Sequence, residues 1–153
     1  MANQIPKILD DAVGFNVYRV ALLFRKELQT ALSEYNLTPE QWQVMQTLWS
    51  TDDMVNQNDI AYLTLKDKHN ISRMIARMEK NNWIKRRQDP TDGRAYIIES
   101  TQWAKNRREE VRTKLLDHFS EIFDVVSQEE LDQLLETMKK FRRRLEDQPK
   151  QDD

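Results

Sequence analysis

Basic side chains are concentrated in one stretch of the chain, from Lys66 to Arg94. This stretch contains nine lysines and arginines against four aspartates and glutamates, which gives it a net charge of +5. The whole chain of 153 residues has a net charge of -2, so the rest of it carries -7. Positive charge concentrated in this way favours a polyanionic partner over a general solubilising role.

The first half of the stretch has the pattern of an amphipathic helix. At about 100° per residue, one side collects apolar residues that we predict to be buried, namely Ile71, Met74, Ile75 and Met78. The opposite side and its flanks collect Lys66, Lys68, His69, Asn70, Ser72, Arg73, Arg77 and Lys80. Arginine can bridge O6 and N7 of guanine, asparagine can bridge N6 and N7 of adenine, and serine can bind either base. The ordinary alternative is a charged face that is merely solvated.

The second half of the stretch predicts a β-hairpin. Asn81 and Asn82 can end the helix in a left-handed conformation. Two strands then follow, over residues 84–88 and 95–100, and the polar segment 89–94 with the sequence DPTDGR provides the turn between them. A basic hairpin directly after two closely joined helices is a winged helix.

The hairpin contributes its own candidates for DNA binding. Arg94 at the turn is placed where it can enter a minor groove, and Asp92 either orients Arg94 or stabilises the turn. We expect Arg86, Arg87 and Arg94 to set affinity and groove fit. The residues expected to set sequence preference are on the helix: Lys68, His69, Asn70, Ser72 and Arg73. Lysines, including Lys66, and Arg77 are expected to meet phosphates.

Local signals define the helices that must position this unit. Thr38, Pro39 and Gln41 form a capping box with proline at the first helical position, so a helix starts at residue 39. Its apolar stripe, predicted to be core, is Trp42, Met45, Leu48 and Trp49. A short strand at residues 54–55, a helix over 57–63 capped by Asn56, and a further helix starting at Thr64 or Lys66 complete the helix-turn-helix.

Helices are also predicted at both ends of the chain. The first runs from Pro6 to about Tyr35 and is apolar on several sides. The last two cover residues 101–126 and 127–147, with a second capping box at Ser127 and Glu130 between them. Their apolar stripes are too large for a small winged helix to cover, so we infer an intertwined helical homodimer made from both chain ends.

Composition excludes several other classes. The chain has no cysteine and only two histidines, so thiol chemistry and thiolate zinc sites are excluded, and no metal-ligand spacing is present. There is no glycine-rich phosphate loop and no nucleophile elbow, so we expect neither an enzyme nor a cofactor. No apolar run approaches the roughly 20 residues that span a bilayer, and no signal peptide opens the chain. We therefore expect a cytoplasmic protein that does not contact the membrane.

The order of elements and the motif over residues 89–94 resemble the MarR (multiple antibiotic resistance regulator) family of bacterial transcription factors. The similarity extends over nearly the whole chain and includes the segments 37–42, 60–61, 71–73 and 78–80. Three positions depart from the family pattern. Asn82 stands where glycine is usual, Gly93 occupies a variable wing position, and Ser100-Thr101 replaces leucine-threonine.

The resemblance implies a single domain over residues 1–153. Residues 1–36 and 101–147 would form the dimerisation helices, 37–100 the winged helix-turn-helix, and 148–153 a frayed tail. It also implies a homodimeric transcriptional regulator, most simply a repressor, that binds a palindromic operator on double-stranded DNA. The alternative is a winged-helix protein-interaction module or structural dimer that does not bind DNA.

The resemblance further implies a small aromatic effector. In relatives such ligands lodge between the dimerisation helices and the winged helix. The candidate ligand-binding residues are accordingly Tyr18, Arg25, Trp42, Met45, Trp103 and Arg107. An ordinary role as core and surface residues of a dimer is the competing interpretation.

Overall fold

The computed structural model describes residues 4–52 and 54–146. Over these residues the chain is mainly α-helical with one small β-sheet, as predicted. The elements are α1 (Lys7–Asp10), α2 (Val13–Leu32), a 3-10 turn (Ser33–Tyr35), α3 (Pro39–Leu48), β1 (Met54–Asn56), α4 (Gln57–Thr64), α5 (Lys68–Lys80), β2 (Ile84–Gln88), β3 (Tyr96–Ser100), α6 (Gln102–Phe123) and α7 (Gln128–Glu146).

The predicted helix from Pro6 to about Tyr35 starts as expected at Lys7, but it is broken near Ala12 and its last turn is not α-helical. Ala12 has extended backbone angles, with φ -92° and ψ 117°, and this residue separates α1 from α2. The side-chain amide of Asn16 donates to the carbonyl oxygens of Asp10 (2.7 Å) and Ala12 (3.0 Å). Asn16 thus satisfies the Asp10 carbonyl at the break. At the other end, the last turn tightens into the 3-10 conformation over Ser33–Tyr35.

The capping box that starts α3 is confirmed. The Thr38 hydroxyl accepts from the Gln41 backbone N–H (3.2 Å), and the Gln41 side chain accepts from the Thr38 backbone N–H (2.9 Å). The predicted core stripe is also confirmed, because Trp42, Met45, Leu48 and Trp49 are all buried. Helix α3 therefore lies with its apolar face inward behind the helix-turn-helix.

The predicted start of the fourth helix at Thr64 or Lys66 is wrong. Helix α5 begins at Lys68, with Asp67 as its N-cap, and Lys66 lies in the turn before it. Helix α4 ends at Thr64 and is followed by Leu65, which has a left-handed conformation (φ 52°, ψ 35°). The N–H groups of Leu65 and Lys66 donate to the carbonyls of Tyr62 and Ala61, the pattern of a Schellman motif. Glycine is usual at this position of the motif, so a leucine there is no signal of a helix end.

The buried face of α5 agrees with the predicted one. Ile71, Ile75 and Met78 are at most 1% exposed, and Met74 is half-buried. The helix ends where Asn82 adopts φ 63°, as expected. The predicted hairpin is confirmed as β2 and β3, and β1 pairs with the other edge of β3, so the antiparallel sheet has the order β1-β3-β2.

The chain divides into two compact units, up to Leu115 and from Leu116. In the first unit, Val17, Tyr18 and Leu22 of α2 are exposed. In the second, α6 ends at Phe123, earlier than the predicted residue 126, because the Val126 N–H bonds only three residues back, to Phe123. The capping box at Ser127 and Glu130 is confirmed by two reciprocal hydrogen bonds (2.8 and 3.2 Å).

Helix α7 exposes four large apolar residues in the second unit: Leu134, Leu135, Phe141 and Leu145. The predicted tail 148–153, together with Asp147, lies outside the described residues. None of the helices in the described part of the chain has the length and hydropathy needed to span a membrane.

Candidate nucleic-acid interface

Helix α5 presents its candidate base-reading side chains on one exposed face. Lys68, His69, Asn70, Ser72 and Arg73 are all exposed, opposite the buried side of the helix. The buried residues anchor α5 to the core, so the face that carries these five side chains points to solvent. This is the arrangement that lets a recognition helix insert into a major groove.

Three of the polar residues at the start of α5 are joined by hydrogen bonds. The Asp67 carboxylate accepts from the Asn70 backbone N–H (2.9 Å) and from the Asn70 side-chain amide (2.7 Å). The Asn70 carbonyl oxygen in turn accepts from Nη2 of Arg73 (3.3 Å). The hydrogen bond from the Asn70 backbone N–H is the main cause that holds the pKa of Asp67 below its ordinary value. Asp67 is therefore a fixed negative charge at the helix N-terminus.

Lys66 has a different environment from the one expected. It lies in the turn before α5, half-buried, with Nζ 4.0 Å from the Glu40 carboxylate. Glu40 is held by Arg25 through three hydrogen bonds of 3.0 to 3.2 Å. Burial acts to raise the pKa of Glu40, but hydrogen bonds from its own backbone N–H and from Arg25 outweigh burial and lower that pKa.

A cavity of about 290 Å³ lies between α3 and α5. It is lined by Thr38, Glu40, Gln41, Lys66, Asn70, Arg73, Met74 and Arg77. Sequence reasoning did not single out Glu40, because nothing local indicates that a residue in the first turn of α3 faces the recognition helix.

The basic residues of strand β2 are paired with carboxylates. Arg86 binds Glu79 at the end of α5, with guanidinium distances of 2.8 and 3.0 Å, and it lies 5.7 Å from the Tyr96 ring centroid. Glu99 of β3 binds both Lys85 (3.1 Å) and Arg87. These pairs hold the sheet together and attach it to α5, which is a role that the sequence reasoning missed.

Hydrogen bonds from Arg87 and Lys85 lower the pKa of Glu99, against the effect of burial, so its carboxylate remains charged under neutral conditions. The pairing of Glu99 with Lys85 follows from the strand register, in which the two residues lie directly opposite each other. A cross-strand alignment of the two predicted strands contains that signal. The partnership of Glu79 with Arg86 has no comparable signal, because a turn separates them.

The wing turn is ordered by its aspartates. Asp89 accepts hydrogen bonds from the Thr91 hydroxyl (2.7 Å) and from the Thr91 backbone N–H (2.8 Å). Both bonds lower the pKa of Asp89, and the bond from the hydroxyl has the larger effect. Asp92 accepts from the backbone N–H of Arg94 (3.0 Å). In the part of the chain that the structure describes, the Arg94 guanidinium has no ion-pair partner. Of the two roles considered for Asp92, the geometry shows stabilisation of the turn.

The six candidate ligand-binding residues fall in three places. Trp42 and Met45 are buried in the core, and the Trp42 ring packs edge-on against Trp49 (5.6 Å between centroids). Arg25 binds Glu40, and Tyr18 is exposed on α2. Trp103 and Arg107 do lie together, with the guanidinium carbon 3.9 Å from the ring centroid. None of the six lines the cavity between α3 and α5.

These elements define a winged helix-turn-helix protein, with a basic helix and a hairpin wing beside it. A comparison with family models matches residues 37–96 to the MarR family, the segment that contains the helix-turn-helix and most of the hairpin. Over this segment the chain is similar to regulators of the MarR family.

Individual relatives agree with this assignment. The chain is 29% identical over 102 residues to the uncharacterized HTH-type transcriptional regulator YwoH of Bacillus subtilis (strain 168), covering 67% of this chain and 73% of the relative. The fold is similar to that of overoxidized AbfR bound to DNA, with a TM-score of 0.70 at 23% identity, over 90% of this chain and 93% of AbfR. It is also similar to CouR of Rhodococcus jostii RHA1 bound to p-coumaroyl-CoA, with a TM-score of 0.78 at 20% identity, over 89% of this chain and 95% of CouR.

Proposed function

We propose that this protein is a homodimeric transcription factor that binds a palindromic operator on double-stranded DNA. Helix α5 enters the major groove, and the wing tip with Arg94 reaches the adjacent minor groove. The observation that carries this proposal is the distribution of unpaired cations. Among the described residues of the winged helix, the cations without an ion pair are Lys68, Arg73, Arg77, Lys80 and Arg94.

These five unpaired cations lie in two parts of the winged helix. Four of them are on α5 and the fifth is at the wing tip, whereas the cations of strand β2 are all paired with Glu79 or Glu99. A charged face that is merely solvated does not require its unpaired cations to be grouped in two places that match two neighbouring grooves of DNA. The DNA-bound state of the structurally similar AbfR supports the same assignment.

The dimer is supported by exposed apolar residues near both chain ends. Residues 1–36 and 101–147 supply the dimerisation helices in this proposal, and residues 37–100 supply the DNA-binding part of a single domain. The exposed faces of α2 and α7 would each be covered by the partner chain. Such a dimer holds two copies of α5 about 34–36 Å apart, one turn of DNA, so that the operator has two half-sites related by a two-fold axis.

The regulatory part of the proposal is a cytoplasmic repressor released by a small aromatic ligand. Among the candidate ligand-binding residues, Tyr18 is exposed, and Trp103 and Arg107 form a half-buried stacked pair. A ligand-bound neighbour, CouR with p-coumaroyl-CoA, supports this class of effector. A thermal-shift screen with aromatic acids tests it, because a ligand that binds only the folded state raises the melting temperature.

The DNA-binding proposal is tested by salt-dependent binding to DNA from upstream of the protein's own gene. Fluorescence anisotropy is measured at several salt concentrations for the wild type, Arg94→Ala and the control Arg112→Ala, an exposed arginine of α6. We expect wild-type affinity to fall steeply with salt. Arg94→Ala should bind more weakly, with a salt slope smaller by about 0.9 if one phosphate contact is lost. Arg112→Ala should match the wild type.

Three outcomes contradict parts of this proposal. Unchanged binding by Arg94→Ala would mean that the wing does not touch DNA. A wild type that binds no promoter fragment, or binds without salt dependence, would rule out the DNA-binding function and favour a protein-interaction module. A chain that sediments as a monomer at micromolar concentration would rule out the homodimer.

A further inference from the structure

The side chain of Asn70 is engaged at both of its polar ends within the protein. Its amide nitrogen donates to Asp67 at 2.7 Å, and its carbonyl oxygen accepts from Arg73 at 3.3 Å. The bond to Asp67 has an ionised acceptor, which makes it roughly twice as strong as a bond between neutral groups. To bridge N6 and N7 of an adenine, Asn70 would have to present both ends to the base and weaken these contacts.

Breaking the contact with Asp67 would also leave an exposed carboxylate close to the DNA. Asp67 is the N-cap of α5, so it cannot turn away without giving up the Asn70 backbone N–H. While the Asn70 amide covers one of the Asp67 oxygens, part of that negative charge is compensated. The cost of releasing Asn70 is therefore greatest in the complex with DNA, where repulsion between Asp67 and phosphates is strongest.

Arg73 benefits from the same bonds. One of its five donors is fixed by the Asn70 carbonyl oxygen, and the remaining edges of the guanidinium stay available to O6 and N7 of guanine. A long arginine side chain that is held before binding loses less conformational entropy when the complex forms. Asp67 also polarises the Asn70 amide, which makes its oxygen a better acceptor for Arg73.

Ser72 is engaged in a comparable way. Its hydroxyl accepts from the side-chain amide of Gln57 on α4 (3.3 Å). Three of the five candidate base-reading residues, Asn70, Ser72 and Arg73, thus make side-chain hydrogen bonds within the helix-turn-helix. In contrast, no side-chain hydrogen bond from His69 to the Asp67, Asn70 and Arg73 chain occurs in the described residues.

We propose that Asn70 is a positioning residue that holds Arg73 toward a guanine in each half-site, and that it reads no base of its own. Asp67 holds Asn70, and Asn70 in turn holds Arg73. All three residues lie on one exposed side of α5. This inference rests on the proposed DNA-binding function, and it changes the expected operator code. The helix contributes a guanine preference through Arg73, without a separate adenine preference through Asn70.

The test is a set of operator duplexes in which each base pair of one half-site is changed in turn. Relative affinities are measured by competition for the wild type, Arg73→Gln, Asn70→Ala, Asn70→Asp and the control Arg112→Ala. Arg73→Gln should lose the preference for one G·C pair, on the order of 5- to 150-fold in the wild type. Asn70→Ala should weaken the preference at that same pair, by about three- to tenfold, and leave every other position as in the wild type.

The remaining variants separate positioning from a merely structural effect. The carboxylate created by Asn70→Asp can still accept from Arg73 but cannot donate to adenine N7. It should retain the G·C preference while overall affinity falls from the added negative charge. Arg112→Ala removes an exposed arginine of α6 outside the hydrogen-bonded chain, so it should leave the preference at that G·C pair unchanged. Circular dichroism confirms that each variant retains its helices.

Two results would overturn the inference, and they can be told apart. If Asn70→Ala relaxes the preference at an A·T pair and leaves the G·C pair of Arg73 intact, Asn70 reads adenine directly, and only this inference fails. If the wild type shows no preference among the duplexes and no salt-dependent binding, the proposed function fails and the inference fails with it.

Discussion

Replacement of Leu65 by glycine should stabilise the protein, although it removes a large apolar side chain. Leu65 occupies the left-handed position of the Schellman motif that ends α4, with φ 52° and ψ 35°. A residue with a Cβ atom pays about 1–2 kcal/mol for this conformation, and glycine does not. The Leu65 side chain is 87% exposed, so its removal sacrifices little buried area.

Two opposing effects decide the size of the gain. Glycine makes the unfolded chain more flexible, which costs about 0.5–1 kcal/mol. The expected net change for Leu65→Gly is therefore a stabilisation of about 0.5–1 kcal/mol, or roughly 1–4 °C in melting temperature for a chain of this size. Leu65→Ala is the matched control, because it removes the same side chain but keeps the Cβ atom. It should lie within about 0.5 kcal/mol of the wild type.

Urea unfolding at one fixed protein concentration measures both variants, since the stability of a dimer depends on concentration. The glycine variant should unfold at a higher urea concentration than the alanine variant. If Leu65→Gly is no more stable than Leu65→Ala, the left-handed turn does not strain the chain and the reasoning is refuted. Binding to DNA provides a second readout, because the turn connects α4 to α5.

Two further predictions concern stability. Thr38→Ala removes the hydroxyl that caps α3, and it should destabilise the fold by about 1 kcal/mol in urea unfolding. Thr38→Ser keeps the hydroxyl and should be nearly neutral. An equal loss of stability in both variants would contradict the role of the cap. Because the folded pKa of Glu99 is lowered, its contribution is fully present above the ordinary glutamate pKa of about 4.3 and is lost as pH falls through the lowered value. Glu99→Gln should thus be about 1 kcal/mol less stable than the wild type at pH 7, where the two partly exposed partners of Glu99 are ionised. Urea unfolding measured from pH 7 to pH 3 should show this difference in stability becoming smaller. A difference that stays constant over this range would argue against the ion pairs.

The parts of the fold that were predictable are those with local signals. The capping boxes at Thr38 and Ser127 each place a hydroxyl and its partner three residues apart, so the sequence contains the complete interaction. The hairpin is likewise defined by a turn between two extended runs. The buried side of α5 follows from helical periodicity alone, because the helix has only one apolar face.

The parts that could not be predicted depend on contacts or conformations without a local signal. The break at Ala12 is stabilised by the Asn16 side chain, which reaches back to carbonyls that an uninterrupted helix would have bonded itself. The start of α5 was not predicted correctly because Leu65 adopts a left-handed conformation, which is usually occupied by glycine. In both cases the backbone conformation is one that the pattern of residue types does not reveal.

Charge counting along the sequence overstated the basic surface of the candidate site. Lys85, Arg86 and Arg87 raise the charge of the stretch, but in the fold all three are paired with Glu79 or Glu99. Glu99 lies outside the counted segment, which explains why a local count could not include it. The division between free cations on α5 and paired cations on β2 is therefore visible only in three dimensions.

The two tryptophan pairs give this molecule an intrinsic optical reporter. Trp83, at the root of the wing, is buried, its indole N–H donates to the Tyr35 carbonyl (3.3 Å), and its ring lies 5.0 Å from that of Trp103 on α6. Arg107 lies on the other ring of this pair. A displacement of the wing root relative to the start of α6 would change the polarity and stacking around these indoles. Tryptophan emission can therefore follow the wing during a titration with DNA or ligand, with no dye attached to the protein.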